Sequence, residues 1–590
     1  MAVEKLIVDH IDTWTTALQT RSTAGRGSSG KIDLYGIKKL RELILELAVR
    51  GKLVPQDPND EPASELLKRI AAEKAELVKQ GKIKKQKPLP EISEEEKPFE
   101  LPVGWEWVRL GDFTNIIRGI TFPGSEKAQT YSQGKIACLR TANVQEQIDW
   151  DDLIYISDLF VKREDQFLQE NDIVMSMANS RELVGKVALA SLPNNSKFTF
   201  GGFLSVLRPL FVNEQYLMAL LRCETYKSQL IESASQTTNI ANISLAKLNP
   251  LLVCLPPANE QTCIAKKLSE LMSLCDQLEQ HSLSNLDAHQ HLVETLLTTL
   301  TDSHNADELA ENWARISEHF DTLFTTEASI DALKQTIRQL AVMGKLVPQD
   351  PNDEPASELL KRIAQEKAQL VKDGKIKKQK PLPPISDEEK PFELPDGWEW
   401  VRLGEIGEIK GGGTPSKNNS EFWEGDIPWV SPKDMKVDYI SKSELTISQE
   451  AVQNSSVTLI SEGSLLFVVR GMILAHTFPV AIAKKEVTIN QDMKAISTDL
   501  YHTDFLIKMM QACSTRVLSL VDRSSHGTCK LVSDKLFNLV LPIPPLKEQL
   551  RISSEVHGFI SHCEKLKKNI KETQQTQLHL ADALTDAAIN

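Results

Sequence analysis

The sequence predicts an α+β protein in which two globular, mostly β domains are separated by long paired, coiled-coil-like helices, with a pseudo-two-fold arrangement that arises from internal duplication. Residues 47–111 return almost letter for letter as residues 340–404, with seven substitutions. A second pair of related segments, 244–275 and 533–563, closes each copy, whereas the inserts 112–240 and 405–530 share no alignable sequence. A repeat offset of 293 residues is far longer than the roughly 20–50 residues of solenoid or propeller units.

The duplication divides the chain into constant segments, which we call the frame, and variable inserts. The expected regions are an N-terminal helical frame with a basic, proline-bounded connector (1–101), a first insert domain (102–255), a central frame with a long helix and the repeated segment (256–394), a second insert domain (395–545) and a C-terminal long helix (546–590). A chain of this length can hold several hydrophobic cores.

Apolar residues at helical spacing predict the helices of the frame. One stripe per copy contains Leu40, Ile44 and Leu47, and Leu333, Ile337 and Leu340. A second helix begins at Ser64 and ends before Gly81. The basic segment that follows, KIKKQKPLP, is an extended connector. It is either a solvated linker or a contact for DNA phosphate or a partner subunit.

The spacing of apolar residues after each Pro-Pro pair predicts a long helix with a coiled-coil seam. The seam residues are Ile264, Leu268, Leu271, Cys275 and Leu278 in the first copy and Ile552, Val556, Phe559, Cys563 and Leu566 in the second. We expect the two seams to pack on each other, and the alternative is that each helix lies on its own domain. A helix of about 40 residues is about 60 Å long, enough to hold two domains apart.

The inserts contain short β-rich segments, such as DIVMSMA and LLFVVRGMI, that are bounded by Gly, Pro, Asn or Ser. This pattern is typical of mostly β domains. We also expect a few helices, for example over 213–235 and 501–521.

Composition predicts the cellular compartment but does not identify the ligand. No apolar run reaches about 18 residues, and the first residues lack an apolar signal core, so we expect neither a membrane span nor secretion. Eight cysteines without a CxxC pair indicate reduced thiols in a cytoplasm. The net charge of −13 resides mostly in the frame, and the inserts are nearly neutral. Charge alone therefore neither supports nor excludes nucleic-acid binding.

Motifs for catalysis are missing from the sequence. It contains no GxxxxGK[ST] loop, no GxGxxG fingerprint and no HExxH pair. It also lacks the Asn/Asp-Pro-Pro-aromatic motif of adenine methyltransferases. We therefore expect no catalytic residues and no metal site in this chain.

Polar, glycine-bearing loops of the inserts carry the residue types that contact base edges: Arg or Lys for guanine, Asn or Gln for adenine, and Ser or Thr for either. The candidates in the first insert are Arg118, Thr121, Arg140, Asn143, Ser180, Arg181, Lys186, Thr238 and Asn239. Those in the second are Lys410, Thr414, Ser416, Lys417, Asn418, Arg470, Arg523, Ser525, His526 and Lys530. The alternative is that these are ordinary loop residues.

An ordered set of motifs resembles one known family. GWEWVRLG, GGGTPSKNN, FWEGDIPWVSPKDM, RGMILAHTFPVAI, NQDM and LPIPPLKEQLRI, in this order, are similar to a target-recognition domain of a Type I restriction-modification specificity subunit (HsdS-like). The first half resembles a divergent member through GWEWVRLGDF, IRGITF, ACLRTANV, SRELVGKVALA and LVCLPPANEQTCIAKKL, but it lacks the GGTP and IPW motifs. The near-identical repeats beside GWEW are most similar to the EcoAI-type (IB) branch.

The resemblance implies a non-catalytic, bacterial cytoplasmic subunit with two target-recognition domains, each reading one half of an interrupted site in double-stranded DNA. The helical frame would dock two methyltransferase subunits, with residues 256–300 and 546–590 as spacer and partner surface. Two motor-nuclease subunits would join through them. S-adenosylmethionine, ATP and magnesium would be bound by these partners and not by this chain, which would still be required for adenine-N6 methylation and ATP-dependent cleavage.

Two other functions fit parts of the pattern. A duplicated, non-catalytic scaffold could use its inserts to bind protein partners. A self-contained modification enzyme is the second alternative, and the missing methylase motifs argue against it.

Overall fold

The computed structural model describes residues 3–21, 31–193, 196–236, 240–372, 382–523 and 529–589. It divides into two compact units. Unit 1 contains residues 3–19, Leu34–Leu283 and 576–589, and unit 2 contains residues 20–21, 31–33 and 284–575. In the described part of the chain no helix is both long enough and apolar enough to cross a membrane.

The elements up to the first long helix are as follows. The N-terminal part contains α1 (Val3–Asp9), α2 (Ile11–Thr16), β1 (Gln19–Arg21), β2 (Lys31–Asp33), α3 (Tyr35–Val49) and α4 (Ala63–Lys79). The first insert contains β3 (Glu106–Arg109), α5 (Leu110–Phe113), β4 (Thr114–Arg118), β5 (Lys135–Leu139), β6 (Ile154–Ser157), β7 (Ile173–Ser176), β8 (Ala178–Asn179), β9 (Val187–Leu189), β10 (Phe198–Phe200), β11 (Leu204–Pro209), α6 (Glu214–Arg222), α7 (Glu224–Ser233), β12 (Ser235–Gln236), β13 (Ala241–Asn242), α8 (Leu245–Leu248) and β14 (Leu252–Leu255).

The remaining elements repeat this order. The central frame contains α9 (Ala258–Asp302), α10 (Ala306–Glu318), α11 (Phe320–Leu323), α12 (Glu327–Val342) and α13 (Ala356–Lys372). The second insert contains β15 (Glu399–Arg402), β16 (Glu408–Gly411), β17 (Ile427–Val430), β18 (Tyr439–Ile440), β19 (Leu445–Ile447), α14 (Gln449–Asn454), β20 (Leu465–Val468), β21 (Val480–Ala483), β22 (Thr488–Ile489), β23 (Met493–Ser497), α15 (Thr503–Ala512), α16 (Ser514–Leu518), β24 (Val521–Arg523), β25 (Cys529–Leu531), α17 (Ser533–Phe537) and β26 (Val540–Ile543), and α18 (Leu546–Ile589) ends the chain.

The two inserts have the same sheet topology although their sequences do not align. An antiparallel sheet has the order β4-β11-β7-β9 in unit 1 and β16-β23-β20-β21 in unit 2, where β18 is added at the edge. A three-stranded sheet has the order β10-β5-β6 in unit 1 and β19-β17-β22 in unit 2, and β5 and β17 each have one parallel neighbour. The inserts are therefore two versions of one domain.

Each insert is closed by frame residues from both of its ends. In unit 1, β3 pairs antiparallel with β14, and the Trp105 indole Nε1 donates to the buried Glu260 carboxylate at 2.8 Å. In unit 2, β15 pairs with β26, and Trp398 donates to Glu548 at 2.9 Å. Burial raises the pKa of both carboxyl groups above the ordinary value. The repeated GWEW and Glu-Gln motifs thus form one clasp per unit.

A buried arginine supports each clasp. Arg402 is 1% exposed, and its guanidinium donates two bonds of 2.9 Å to Glu389 and one of 2.8 Å to the carbonyl of Asn538. Arg109 binds Glu96 in the same way in unit 1. Arg402 lowers the pKa of Glu389 from 4.5 to about 2. These residues of the repeat therefore have structural roles.

The long helices are tied at their C-terminal ends by a repeated lysine. Lys345 Nζ donates to the carbonyls of Thr301 and Ser303 at 2.7 and 2.9 Å. In unit 1, Lys52 Nζ donates to the carbonyl of Ile589 at 2.6 Å. Because the terminal carbonyls of a helix lack partners within it, a cation there is favourable.

Most of the seam residues of the second copy are buried together with a frame helix of their own unit. Ile552, Val556 and Cys563 are buried in one core with Leu333 and Ile337. Leu566 packs against that core from a partly buried position, whereas Phe559 is 42% exposed. Lys567 also binds Asp331 at 2.6 Å, so α12 lies along α18 within unit 2.

In unit 1, Arg41 of α3 binds Asp276 and Glu279 of α9 at 2.8 and 2.6 Å. The seam residues of unit 1 are buried except for Leu278, which is partly buried. They are Ile264, Leu268, Leu271, Cys275 and Leu278. Each seam therefore has the first frame helix of its own unit as a neighbour, because 4-3 spacing presents an apolar stripe to any helical partner. Packing of the two seams on each other stays a prediction.

The expected helices over 213–235 and 501–521 are each interrupted. Cys223 has φ −58° and ψ 134°, which ends α6 before α7 begins. Cys513 separates α15 from α16, and residue 521 already begins β24. Both cysteines are buried.

Candidate nucleic-acid interface

One end of the large sheet in unit 2 collects most of the polar loops of the second insert. Gly411 is opposite Lys494, and Val468 is opposite Met493, so β16 and β20 end where β23 begins. Three loops meet there, and the β24–β25 hairpin joins them because Gly471 N donates to the Cys529 carbonyl at 3.0 Å. We call the segments 412–419, 469–479, 490–492 and this hairpin the loop end of unit 2.

The glycine-rich loop 412–419 is firmly held at its base and open at its tip. A Cβ at Gly412 would lie 1.9 Å from the Asn490 carbonyl oxygen, so only glycine fits. The Trp429 indole donates to the Gly413 carbonyl at 2.9 Å, and Thr414 bonds to Gln491. Ser416, Lys417 and Asn418 follow and are exposed. The loop therefore presents three polar side chains from an ordered base.

The cationic candidates of unit 2 differ in the exposure and in the partners of their side chains. Arg470 is exposed, and its backbone forms an isolated antiparallel β-bridge with Lys530. Its guanidinium lies 4.0 Å from the Asp492 carboxylate. Arg523 is exposed and donates to the Ala475 carbonyl at 3.3 Å. Lys410 lies on strand β16 and pairs with Glu408 at 3.5 Å with a side-chain exposure of 23%. Arg470, Arg523 and Lys530 thus belong to the loop end, whereas Lys410 lies on its sheet.

The equivalent end of unit 1 gathers the candidates of the first insert. Arg118 pairs with Ser205 and Ser176 with Leu204, so the segments 119–123, 177–186, 201–203 and the β12–β13 hairpin meet. We call these segments, together with Arg118, the loop end of unit 1. The exposed candidates on it are Arg118, Thr121, Ser180 and Arg181. A Cβ at Gly119 would lie 2.1 Å from the Gly201 carbonyl oxygen, the same close approach as at Gly412.

Asn143 is not available to DNA, contrary to our prediction. It is fully buried, its Oδ1 accepts from Arg140 N at 2.8 Å, and its Nδ2 donates to the carbonyls of Asp149 and Asp152 at 3.0 and 2.9 Å. Asp434 accepts from Ser431 N at 2.8 Å after the matching strand of unit 2. The position therefore stabilises a turn, because a buried amide must satisfy its hydrogen bonds locally.

Two other candidates of the first insert are partly engaged. Arg140 donates to the Asp152 carboxylate at 2.7 Å, and Lys186 donates to the Gln145 side chain at 3.1 Å. Both are partly buried. Thr238, Asn239, Ser525 and His526 lie outside the described residues.

Exposed apolar side chains at the loop ends were missed in the sequence. Unit 1 exposes Leu183 by 38%, Phe203 by 69% and Ile240 by 53%, and unit 2 exposes Met472 by 62% and Ile473 by 38%. The residue types that form hydrogen bonds with base edges are all polar, so this criterion does not select apolar side chains. The Gly-Gly-Phe sequence directly before a β-rich segment is the signal that could have revealed Phe203.

Over the described residues no group of three or more His, Cys, Asp and Glu side chains could hold a metal ion. What the loop ends offer is hydrogen-bonding, cationic and apolar side chains on two equivalent sheets. Such side chains can contact both the phosphates and the base edges of a nucleic acid.

Comparison with known proteins places the chain in a family. The Type I restriction modification DNA specificity domain matches residues 102–288 and 395–574, once in each half. The chain belongs to the family of Type I restriction-modification specificity subunits.

Relatives within the family span the whole chain. The Type I restriction enzyme EcoAI specificity subunit of Escherichia coli is 51% identical over 617 residues, and the EcoEI specificity subunit of the same species is 48% identical over 613 residues. Each covers 100% of both chains. A solved HsdS subunit from Thermoanaerobacter tengcongensis covers 84% of this chain and 98% of its own at 18% identity, with a TM-score of 0.38.

Proposed function

We propose that the chain is the DNA-reading subunit of a Type I restriction-modification complex, and that each insert reads one half of an interrupted site. The observation that carries this proposal is the shared order of the main strands in the two inserts, combined with different loops. Gly119 and Gly412 make the same close backbone contact, yet the residues around them differ. One conserved scaffold with two sets of loop chemistry suits two unrelated half-sites.

The exposed side chains of the loop ends are suited to the major groove. Lys417 or Arg118 can donate to guanine, Asn418 can bond to adenine, and Ser416 can bond to several bases. Because such side chains also contact phosphate, sequence preference and salt dependence must be measured together. The domain itself contributes positioning and no bond-making step.

The frame supports docking of two copies of one partner. The outer face of α4 carries Lys68 paired with Glu65 at 2.7 Å, and α13 carries Lys361 paired with Glu358 at 2.7 Å. The repeated sequence thus presents the same surface twice. We assign these partners as two methyltransferase subunits, through which two motor-nuclease subunits join.

Chemistry is assigned to the partners in this proposal. The methyltransferase subunits would bind S-adenosylmethionine and methylate adenine N6 after base flipping. The motor-nuclease subunits would use ATP and magnesium for translocation and cleavage. The chain would act in the cytoplasm as the non-catalytic component that selects the sequence.

An insert exchange tests the division of labour. Residues 112–250 would be replaced by the equivalent insert of another family member, and methylation by the complex would be mapped. The junctions are favourable because Gly111 N donates to the Asn249 carbonyl at 2.9 Å, so the exchanged segment begins and ends at a closed base. We expect one half of the target to change and the other to remain.

The reciprocal exchange of the second insert is the matched control, and it should change only the other half. Methylation in which both halves change after a single exchange would contradict the proposal. Methylation at the original sequence after both exchanges would contradict it as well.

A further inference from the structure

Phe203 is a large apolar side chain that the fold holds in solvent. It is 69% exposed at the turn that precedes β11. The turn is rigid: Met177 N donates to the Phe203 carbonyl and Leu204 N to the Gly201 carbonyl, both at 2.8 Å. A Cβ at Gly202 would lie 2.9 Å from Thr121 Oγ1, so the turn is also closely packed on the neighbouring loop. The aromatic ring is therefore presented from a fixed base.

The ring stands among the candidate DNA-contacting residues. Arg118 pairs with Ser205, two residues beyond Phe203, and both Arg118 and Arg181 are exposed at the same loop end. Leu183, on the loop between β8 and β9, is 38% exposed. An exposed apolar group at the same loop end as two exposed arginines is complementary to a polyanion that also carries apolar groups.

Unit 2 places different chemistry at the same position. Val469 N donates to the Asp492 carbonyl at 2.8 Å, which repeats the bond from Met177 to Phe203. Asp492 directs its carboxylate toward Arg470 at 4.0 Å. Thus one fixed backbone position carries an aromatic ring in one half and a charged group in the other. A position that keeps its backbone and changes its side chain is suited to specificity.

We propose that Phe203 is a specificity-determining residue that reads the C5 methyl group of a thymine in the first half-site. This inference rests on the proposed function. Among the four bases only thymine presents a methyl group in the major groove, where apolar side chains contact it. Contact with that methyl covers part of a ring that is otherwise held in water.

Deoxyuridine isolates this contact because it differs from thymidine only by the missing methyl group. The complex of the full chain with its methyltransferase subunits would be titrated with duplexes in which each thymine of the first half-site is replaced singly by deoxyuridine. At one position we expect binding to weaken about fourfold, the loss that corresponds to one unburied methyl group.

Variants then connect that position to the ring. Phe203→Ala should bind the natural duplex less tightly and should no longer distinguish thymine from deoxyuridine at that position, whereas Phe203→Leu should retain part of the distinction. The matched control is Phe211→Ala. Phe211 is 61% exposed beyond the other end of β11, and its variant should keep the full thymine preference.

Any of three results would overturn the inference. One is tolerance of deoxyuridine at every position by the unmodified chain. The second is a deoxyuridine effect that persists in Phe203→Ala, and the third is a loss in that variant that is equal on all sequences, as a wedge between stacked bases would give. Failure of the proposed function is a separate result, in which the unmodified complex does not prefer its methylated site over unrelated duplexes.

Discussion

At the residue scale, the polar side chains of the loop ends differ in what they are free to contact. Arg118 is exposed, while Asn143 donates both of its amide hydrogen atoms and accepts one bond at Oδ1 inside a turn. The two residues therefore respond to different measurements. Substitution of the buried residue should change the free energy of unfolding, whereas substitution of the exposed residue should change the affinity for DNA.

Asn143→Ala should destabilise the first insert by about 1–3 kcal/mol, because it removes a buried amide and leaves the Arg140 N–H and two carbonyl groups without these partners. The measurement is urea unfolding of the full chain. Arg118→Ala is the control and should change the free energy of unfolding by no more than about 0.5 kcal/mol while weakening DNA binding. Equal stability of the two variants would contradict the structural role of Asn143.

The pair of Arg402 and Glu389 makes stability depend on pH. Because the folded-state pKa of Glu389 is lowered to about 2, its contribution is fully present above its ordinary pKa of 4.5 and is lost as pH falls toward 2. Glu389→Gln should therefore lower the urea midpoint of unfolding at neutral pH, and the difference from the unmodified chain should shrink through that acidic window. The reason is that Arg402 is buried and loses its counter-charge.

Glu388→Gln removes an exposed carboxylate from the same turn and serves as the control. Its pH profile should follow that of the unmodified chain. A Glu389→Gln profile parallel to the unmodified one at every pH would show that the ion pair does not titrate as described.

Individual roles were only partly predictable from the sequence. The repeat marked Trp105 and Glu260 as constant, but 155 residues separate them and only the fold shows that they bond. Exposed loop candidates such as Lys417 and Arg181 were found by residue type. Asn143 was assigned wrongly by the same criterion, because residue type does not reveal burial. Phe203 was missed because an apolar residue beside a strand is usually core.

At the element scale, the long helices each belong to both units. The division between the units falls after Leu283 in α9 and after Gln575 in α18. If the two helices set the distance between the half-sites, one added turn in each moves the inserts by about 5.4 Å. Since B-DNA rises 3.4 Å per base pair, the unread spacer of the target should grow by roughly one or two base pairs.

The measurement is a map of methylated sites after insertion of four residues at both points. Insertion into only one helix is the control and should impair methylation without selecting a new spacer. A target with the original spacer after the double insertion would show that the helices do not set the distance.

The helices were more predictable than the sheets at this scale. The apolar spacing identified both long helices, since period and length are properties of a continuous segment. It did not identify their neighbours, because a stripe such as that at Ile552 accepts any apolar face. The shared topology of the inserts was not predictable either. Strand order depends on pairs such as Phe200 and Leu139, which are distant in the chain.

At the scale of the whole molecule, residues from opposite ends of the chain share unit 1. Tyr35 donates its hydroxyl to Asp582 at 2.7 Å, and Ala581 and Thr585 are buried. Deletion of residues 576–590 should therefore increase amide hydrogen exchange in α3, because that helix loses its neighbour. Exchange in β20 and β23 of unit 2 should remain unchanged.

Asp586→Ala changes an exposed residue of the same segment and should leave exchange in both units as it is. The deletion would contradict the division into units if α3 kept its protection. It would also do so if both units lost protection equally.

The position of residues 576–589 in unit 1 has a consequence for biosynthesis. This segment leaves the ribosome after all of unit 2 and after every other part of unit 1. Unit 2 can therefore finish folding during translation. At that stage Tyr35 of α3 and the following Lys52 still lack their partners, Asp582 and Ile589. A chain released before this segment would carry a folded unit 2 and an incomplete unit 1. Under the proposed function, assembly of partners on the frame would then have to wait until residues 576–589 have been translated.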